Sequence, residues 1–64
     1  MRATATYSQI NSKEAIIEVN YPDGKFGMER VTCPRNGSLY ETAYSAAVRK
    51  AAHQGFTLDR FSRV

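Results

Sequence analysis

Few side chains in this 64-residue chain are of the kinds that do covalent chemistry. There is one histidine, His53, and one cysteine, Cys33. Nucleophilic catalysis needs a nucleophile, a base and a group that orients the base, and the usual alternative is a set of metal ligands. His53 falls near the end of a helical pattern, where a partial positive charge suits the carbonyl end of the helix dipole. Cys33 has no sequence neighbour to activate it and reads as a small, half-buried side chain at a strand end. The carboxylates form no recognisable pair. One Cys and one His cannot supply the four ligands of a usual zinc site. Neither Pro22-Asp23-Gly24 nor Asn36-Gly37 carries a phosphate-binding glycine pattern. The expectation is a protein that is not an enzyme and uses no metal or cofactor.

The residues left to carry a function are basic. Arg60 and Arg63 flank Phe61 near the end of the chain, Lys25, Arg30 and Arg35 lie on or just after a middle strand, and Arg49 and Lys50 project from a helix. Arginine beside an aromatic ring can hold phosphates and stack bases, or pair bidentately with carboxylates. The plainer explanation is that these are long, solvated side chains covering a small sheet. An aromatic residue between two arginines has little reason to belong to a core. Arg60, Phe61 and Arg63 are therefore the expected partner-binding residues. Lys25, Arg30, Arg35 and Arg60 are the alternative set, for nucleic acid.

Composition bounds the class of protein. Nine Lys and Arg stand against six Asp and Glu, a net charge of +3 with a pI near 9.4. That sign favours an acidic partner, either a protein surface or nucleic acid, although the acids are scattered among the bases. A chain this short makes one domain, residues 1–64, and buries only about 60% of the surface its unfolded form exposes. A single cysteine excludes an internal disulfide. With no signal-peptide pattern it points to a reducing, cytoplasmic setting. No apolar run approaches the roughly 20 residues needed to cross a bilayer.

The elements that must position these residues are legible in outline. Ala3 to Ile10 is rich in Thr, Tyr and Ile and can form a strand, with Asn11-Ser12-Lys13 as a turn. From Ala15 to Tyr21 the alternation is clearest: Ile17, Val19 and Tyr21 on one face, Glu18 and Asn20 on the other, and Ile16 on the polar side. Pro22-Asp23-Gly24 predicts a hairpin, since Pro presets the first turn position and Gly supplies a positive φ. The return strand, Lys25 to Cys33, is interrupted by Gly27, which marks a bulge or a close backbone approach. Ser38-Leu39-Tyr40-Glu41 is a capping box, and Gly55 stops the helix. Tyr40, Ala43, Tyr44, Ala47, Val48 and Ala51 form its apolar stripe, mostly alanine at the centre so that the helix can sit close to a sheet, with the tyrosines filling its edges. In the final run, Phe56 to Val64, simple alternation groups Phe56 and Leu58 with Arg60, and Asp59 with Phe61 and Arg63.

The expected fold is α+β, a small, mainly antiparallel sheet of three to four strands with one α-helix across one face, in the order β-β-β-α-β. A variant order, β-β-α-β, leaves the N-terminal segment as an arm. The last strand could pair antiparallel beside Ala15–Tyr21, or parallel beside Lys25–Cys33 under the right-handed crossover rule.

The hairpin, the capped helix and the run Gly55-Phe56-Thr57-Leu58-Asp59-Arg60 together resemble a family of small phage-encoded inhibitors of bacterial RNA polymerase. Ser38-Leu39-Tyr40-Glu41-Thr42-Ala43 is similar to the helix start of that family, and the resemblance covers about Ala15 to Val64. It implies a non-catalytic protein that binds a host enzyme, with Arg60 at a position that engages acidic residues of the polymerase. At the family's second arginine this chain has Ser62, with Arg63 one step on. The three strands, the Tyr21-Pro22-Asp23-Gly24-Lys25 hairpin and the helix are also similar to the N-terminal DNA-binding domains of phage integrases, whose sheet face lies in the major groove. The expected partner is accordingly a host protein with an acidic surface, with nucleic acid as the alternative. The chain itself is expected to be a monomer or a weak homodimer in the host cytoplasm.

Overall fold

A computed structural model describes residues 2–64. The element order is β1 (Arg2–Gln9), β2 (Glu14–Asn20), β3 (Phe26–Thr32), α1 (Leu39–His53) and β4 (Thr57–Arg63). All four strands form one sheet in the order β3-β2-β1-β4, with α1 packed across one face. The fold is the expected α+β arrangement. The sheet is mixed, because β4 runs parallel to β1 while β1–β2 and β2–β3 are antiparallel.

Local chemistry accounts for each turn. Between β2 and β3, Gly24 N–H donates to the Tyr21 carbonyl at 3.1 Å, and Tyr21 N–H donates to the Lys25 carbonyl at 2.9 Å. Gly24 takes φ +91°, which a side chain would resist. The Asp23 carboxylate accepts from Lys25 N–H. At the helix start, Ser38 Oγ accepts from Glu41 N–H at 3.3 Å, the Ser half of the capping box. At its end, Gly55 N–H donates to the Ala52 carbonyl and Phe56 N–H to the Ala51 carbonyl, with Gly55 at φ +84°. That pair of bonds is a Schellman stop.

The core lies between α1 and one face of the sheet. Ala3, Ala5 and Tyr7 from β1, Ala15, Ile17 and Val19 from β2, and Val31 from β3 meet Ala43, Ala46, Ala47 and Ala51 of the helix. Ile17 and Val19 are the largest side chains that are fully buried. Burying each stabilises the fold by about 1.5–3 kcal/mol. Ile16, as its parity predicts, turns to the opposite face and is only partly covered.

Three expectations are corrected here. The last strand neither joins β2 nor sits beside β3; it adds to the free edge of β1. In that position α1 crosses over β2 and β1, and so covers Ile17, Val19, Ala3 and Ala5. Pairing beside β3 would carry the helix off those residues and leave them to water. The N-terminal segment is not an arm but an interior strand. Finally, the alanine centre of the α1 stripe lies against the sheet as expected, but the stripe is turned so that Ala46 joins it and the larger residues fall on one side. Ala43, Ala46, Ala47 and Ala51 face the sheet, while Tyr40, Tyr44 and Val48 remain 50%, 45% and 37% exposed along one flank. Alanines let the helix lie close to the sheet, and that closeness leaves no room beneath for tyrosine rings.

Gly27 marks a close approach rather than a bulge. A Cβ at this position would lie 2.8 Å from Lys50 Cε, so the lysine stem passes directly over β3. Its ammonium reaches Glu29 at 3.8 Å. Cys33 is buried, and its N–H donates to the Lys13 carbonyl.

Candidate partner-binding site

The expected partner-binding residues lie on β4, and one irregularity decides how they face. Leu58 is paired with Ala3, but the next pair is Arg60 with Thr4, so Asp59 is an extra residue in the ladder. Alternation therefore breaks at Asp59. Leu58 and Phe61 both turn toward the helix and pack against the core. Arg60 and Ser62, paired with Thr4 and Thr6, turn to the uncovered face. Arg63, paired with the buried Tyr7, returns to the helix side. The grouping of Leu58 with Arg60 expected from simple alternation does not occur.

Phe61 is thus a wedge between strand and helix, and the structure does not present it with Arg60 on one surface. Its ring stacks on Tyr7 at 5.2 Å with an 8° interplanar angle. It meets Tyr40 and Tyr44 edge-on, each at 5.4 Å and 74°. Tyr40 in turn contacts Tyr7 at 5.8 Å. These geometries are the favourable stacked and edge-to-face ones.

What the structure brings together instead is a ledge beside an open strand edge. The side of β4 away from β1 has no strand partner, since β4 ends the sheet. Along the helix side of that edge run the half-exposed Tyr40 and Tyr44, then Val48, supported from below by Phe61. Arg63 closes the ledge at one end, and Arg60 stands on the reverse face of the same strand. Among the described residues neither Arg60 nor Arg63 enters an ion pair. An extended segment laid along β4 could add to its hydrogen-bonding edge, rest side chains on the tyrosines and meet a guanidinium on each face. Tyr and Arg are also the residue types that carry most binding energy in protein interfaces.

The tyrosines of this ledge were legible as apolar helix positions, but not as a surface. Their hydroxyls gave the available signal. A tyrosine at the border of an alanine stripe can keep its oxygen in water while its ring covers a neighbour.

The alternative set for nucleic acid does not converge. Arg30 and Arg60 share the uncovered face, but they lie on β3 and β4, the opposite edges of the sheet. Arg30 is tied to Glu14, at 2.7 Å through Nη2 and 2.9 Å through Nε. On the same face Arg2 pairs with Asp59 at 3.0 Å. Lys25 follows the parity of Gly27 and Glu29, which is the helix side. Arg35 sits in the loop before α1, where its carbonyl accepts from Lys13 Nζ. The rest of the open face carries Thr4, Thr6, Ser8, Glu18 and Asn20 with the exposed Phe26 and Met28, a mixed rather than a basic surface.

Titration singles out one group. The Glu14 carboxyl is held below its ordinary range chiefly by the hydrogen bond from Asn11 Nδ2, at 3.0 Å. Partial burial opposes this, and the charge and hydrogen bonds of Arg30 add to it. Glu14 fixes the β1–β2 turn, its carbonyl accepting from Ile10 and Asn11 N–H and its carboxylate holding Asn11 and Arg30. Among the described residues no group of three His, Cys, Asp or Glu side chains is arranged to hold a metal. His53 is exposed in the last turn of α1. Among the described residues no helix is long and apolar enough to cross a membrane.

Compared with known proteins, the chain matches no family model, no curated protein and no solved structure.

Proposed function

We propose that this chain is a small, non-catalytic binding protein that occupies a protein partner through the open edge of β4 and the aromatic ledge beside it. The observation that carries this reading is an open strand edge flanked by half-exposed tyrosines and Arg63 on one face and by Arg60 on the other, both arginines uncommitted among the described residues. A partner segment suited to it is extended and acidic, with main-chain hydrogen bonds supplying affinity and carboxylates meeting Arg60 and Arg63. In the finer form of the proposal the partner is a host enzyme of nucleic-acid metabolism such as RNA polymerase, and binding inhibits it. The Gly55-Phe56-Thr57-Leu58-Asp59-Arg60 run and the capped helix support that form by their resemblance to phage-encoded polymerase inhibitors.

The test is transcription by purified bacterial RNA polymerase from a defined promoter, with increasing amounts of the chain. Inhibition by the wild type and its loss in the Arg60→Ala, Arg63→Ala double variant is the expected result. Inhibition that persists in the double variant would remove β4 as the site. No inhibition at any concentration would remove the polymerase as the target. A nucleic-acid module would behave differently: it would bind bare DNA or RNA with affinity falling steeply as salt rises.

A further inference from the structure

We infer that β3 is a self-association edge, and that two copies of this chain join their sheets through antiparallel β3–β3 pairing centred on Met28. This rests on the other end of the sheet and is independent of what β4 binds.

The two edges differ in kind. β4 carries an irregular register at Asp59, together with Arg60 and Arg63, which suit an acidic segment but would set like charges against each other if two β4 edges met. β3 has no such irregularity, and its two charged residues, Glu29 and Arg30, are already engaged with Lys50 and Glu14. Its seven residues, FGMERVT, pair with β2 in unbroken register and contain no proline or lysine. On its uncovered face Phe26 and Met28 stand 64% and 56% exposed. A regular edge strand with large apolar side chains in water is a ready template for another strand.

The register follows from the hydrogen bonding already in place. Tyr21 N–H bonds to the Lys25 carbonyl, and Cys33 N–H to the Lys13 carbonyl. Alternation along an antiparallel ladder then turns the main-chain groups of residues 25, 27, 29, 31 and 33 toward β2. Those of Phe26, Met28, Arg30 and Thr32 point outward, unpaired. A two-fold pairing must join outward groups to outward groups. Centring it on Glu29 would set two carboxylates directly opposite each other, which is destabilising.

Centring it on Met28 is complementary on both faces. On the open face Met28 meets Met28 of the second copy. Phe26 falls opposite Arg30 of the second copy, whose stem can cover the ring while its guanidinium keeps Glu14. On the helix face Gly27 falls opposite Glu29 of the second copy. Lys50 already lies over Gly27, with its Nζ 3.5 Å from where a Cβ would be. Each Lys50 ammonium therefore stands between its own Glu29, now at 3.8 Å, and Glu29 of the second copy. The missing side chain at Gly27 lets the Lys50 stem lie low over β3, which keeps its ammonium near that carboxylate. The second copy also leaves both β4 edges at the outer ends of an eight-stranded sheet, so a dimer presents two partner sites.

The test is sedimentation equilibrium of the full chain from micromolar to millimolar concentration, with thermal melting of every variant to confirm folding. The wild type is expected to show a monomer–dimer equilibrium. Met28→Lys, which places like charges on the two-fold axis, should weaken it tenfold or more. Glu29→Lys should do the same, and the added change Lys50→Glu should restore the dimer. In a Cys33→Ser background Met28→Cys should oxidise to a disulfide-linked dimer, since a hydrogen-bonded pair holds its Cα atoms roughly 5.5 Å apart. A wild type that stays monomeric throughout would overturn the inference. So would a dimer that ignores Met28→Lys and Glu29→Lys, or one abolished by Arg60→Ala with Arg63→Ala.

Discussion

Replacing Phe61 with alanine separates a residue that holds the fold from one that touches a partner. In the structure its ring lies against three others, Tyr7, Tyr40 and Tyr44, at 5.2–5.4 Å. It is only partly buried, so the loss belongs at the lower end of the usual range for Phe→Ala, about 3 kcal/mol. The three ring contacts account for part of this, at about 0.5–1.5 kcal/mol each beyond area burial. For a domain of this size each kcal/mol moves the midpoint roughly 4–8 °C, so Phe61→Ala should melt on the order of 12–24 °C below wild type. Far-ultraviolet circular dichroism during a thermal ramp reads this, with Phe61→Leu expected to recover more than half of the loss. Arg60→Ala with Arg63→Ala should stay within about 0.5 kcal/mol of wild type, as surface changes do. A Phe61→Ala chain that melts with the wild type would refute the wedge assignment and return Phe61 to the binding surface.

Other substitutions probe other joints. Ala47→Leu should lose about 1–3 kcal/mol in urea unfolding because the helix has no space beneath it, whereas Val48→Leu on the exposed flank should change little. Equal effects would contradict the rotated stripe. Gly37→Ala should destabilise the β3–α1 turn, since its new Cβ would lie 2.6 Å from the Pro34 ring; a neutral change in the melting midpoint would show that the turn can shift. Glu14 ties stability to acid. Its folded pKa is depressed below the ordinary 4.5, so its contribution is present above the unfolded value and is lost as pH falls through the folded one. The gap in urea midpoint between pH 6 and pH 3 should therefore be smaller in Glu14→Gln than in wild type, and an identical gap would count against the assignment.

Much of the fold was legible because local signals were strong where the chain turns. Pro22-Asp23-Gly24, the Ser38 cap and Gly55 each do in the structure what their residue types predict, while of the capping box only the Ser38 half forms. Alternation in Ala15–Tyr21 gave the buried face of β2 directly. The site was harder to read because its geometry depends on long-range terms. The extra residue at Asp59 carries no marker such as glycine, since it arises from pairing with β1, and it reverses the facing of everything after it. Strand order depended on which placement of β4 keeps α1 over Ile17 and Val19, a competition between whole arrangements rather than a property of any one segment. The stripe of α1 offered several overlapping apolar sets. Only the depth of contact with the sheet selected the alanines and left Tyr40 and Tyr44 at the flank.

The most direct measurement of the proposed binding is capture from bacterial lysate, with and without nuclease, using tagged wild type and the Arg60→Ala, Arg63→Ala variant in parallel, read by mass spectrometry. One protein held in stoichiometric amount by the wild type and absent from the variant is the predicted result. The same protein held equally by both, or capture that disappears entirely with nuclease, would contradict a protein-binding role for β4.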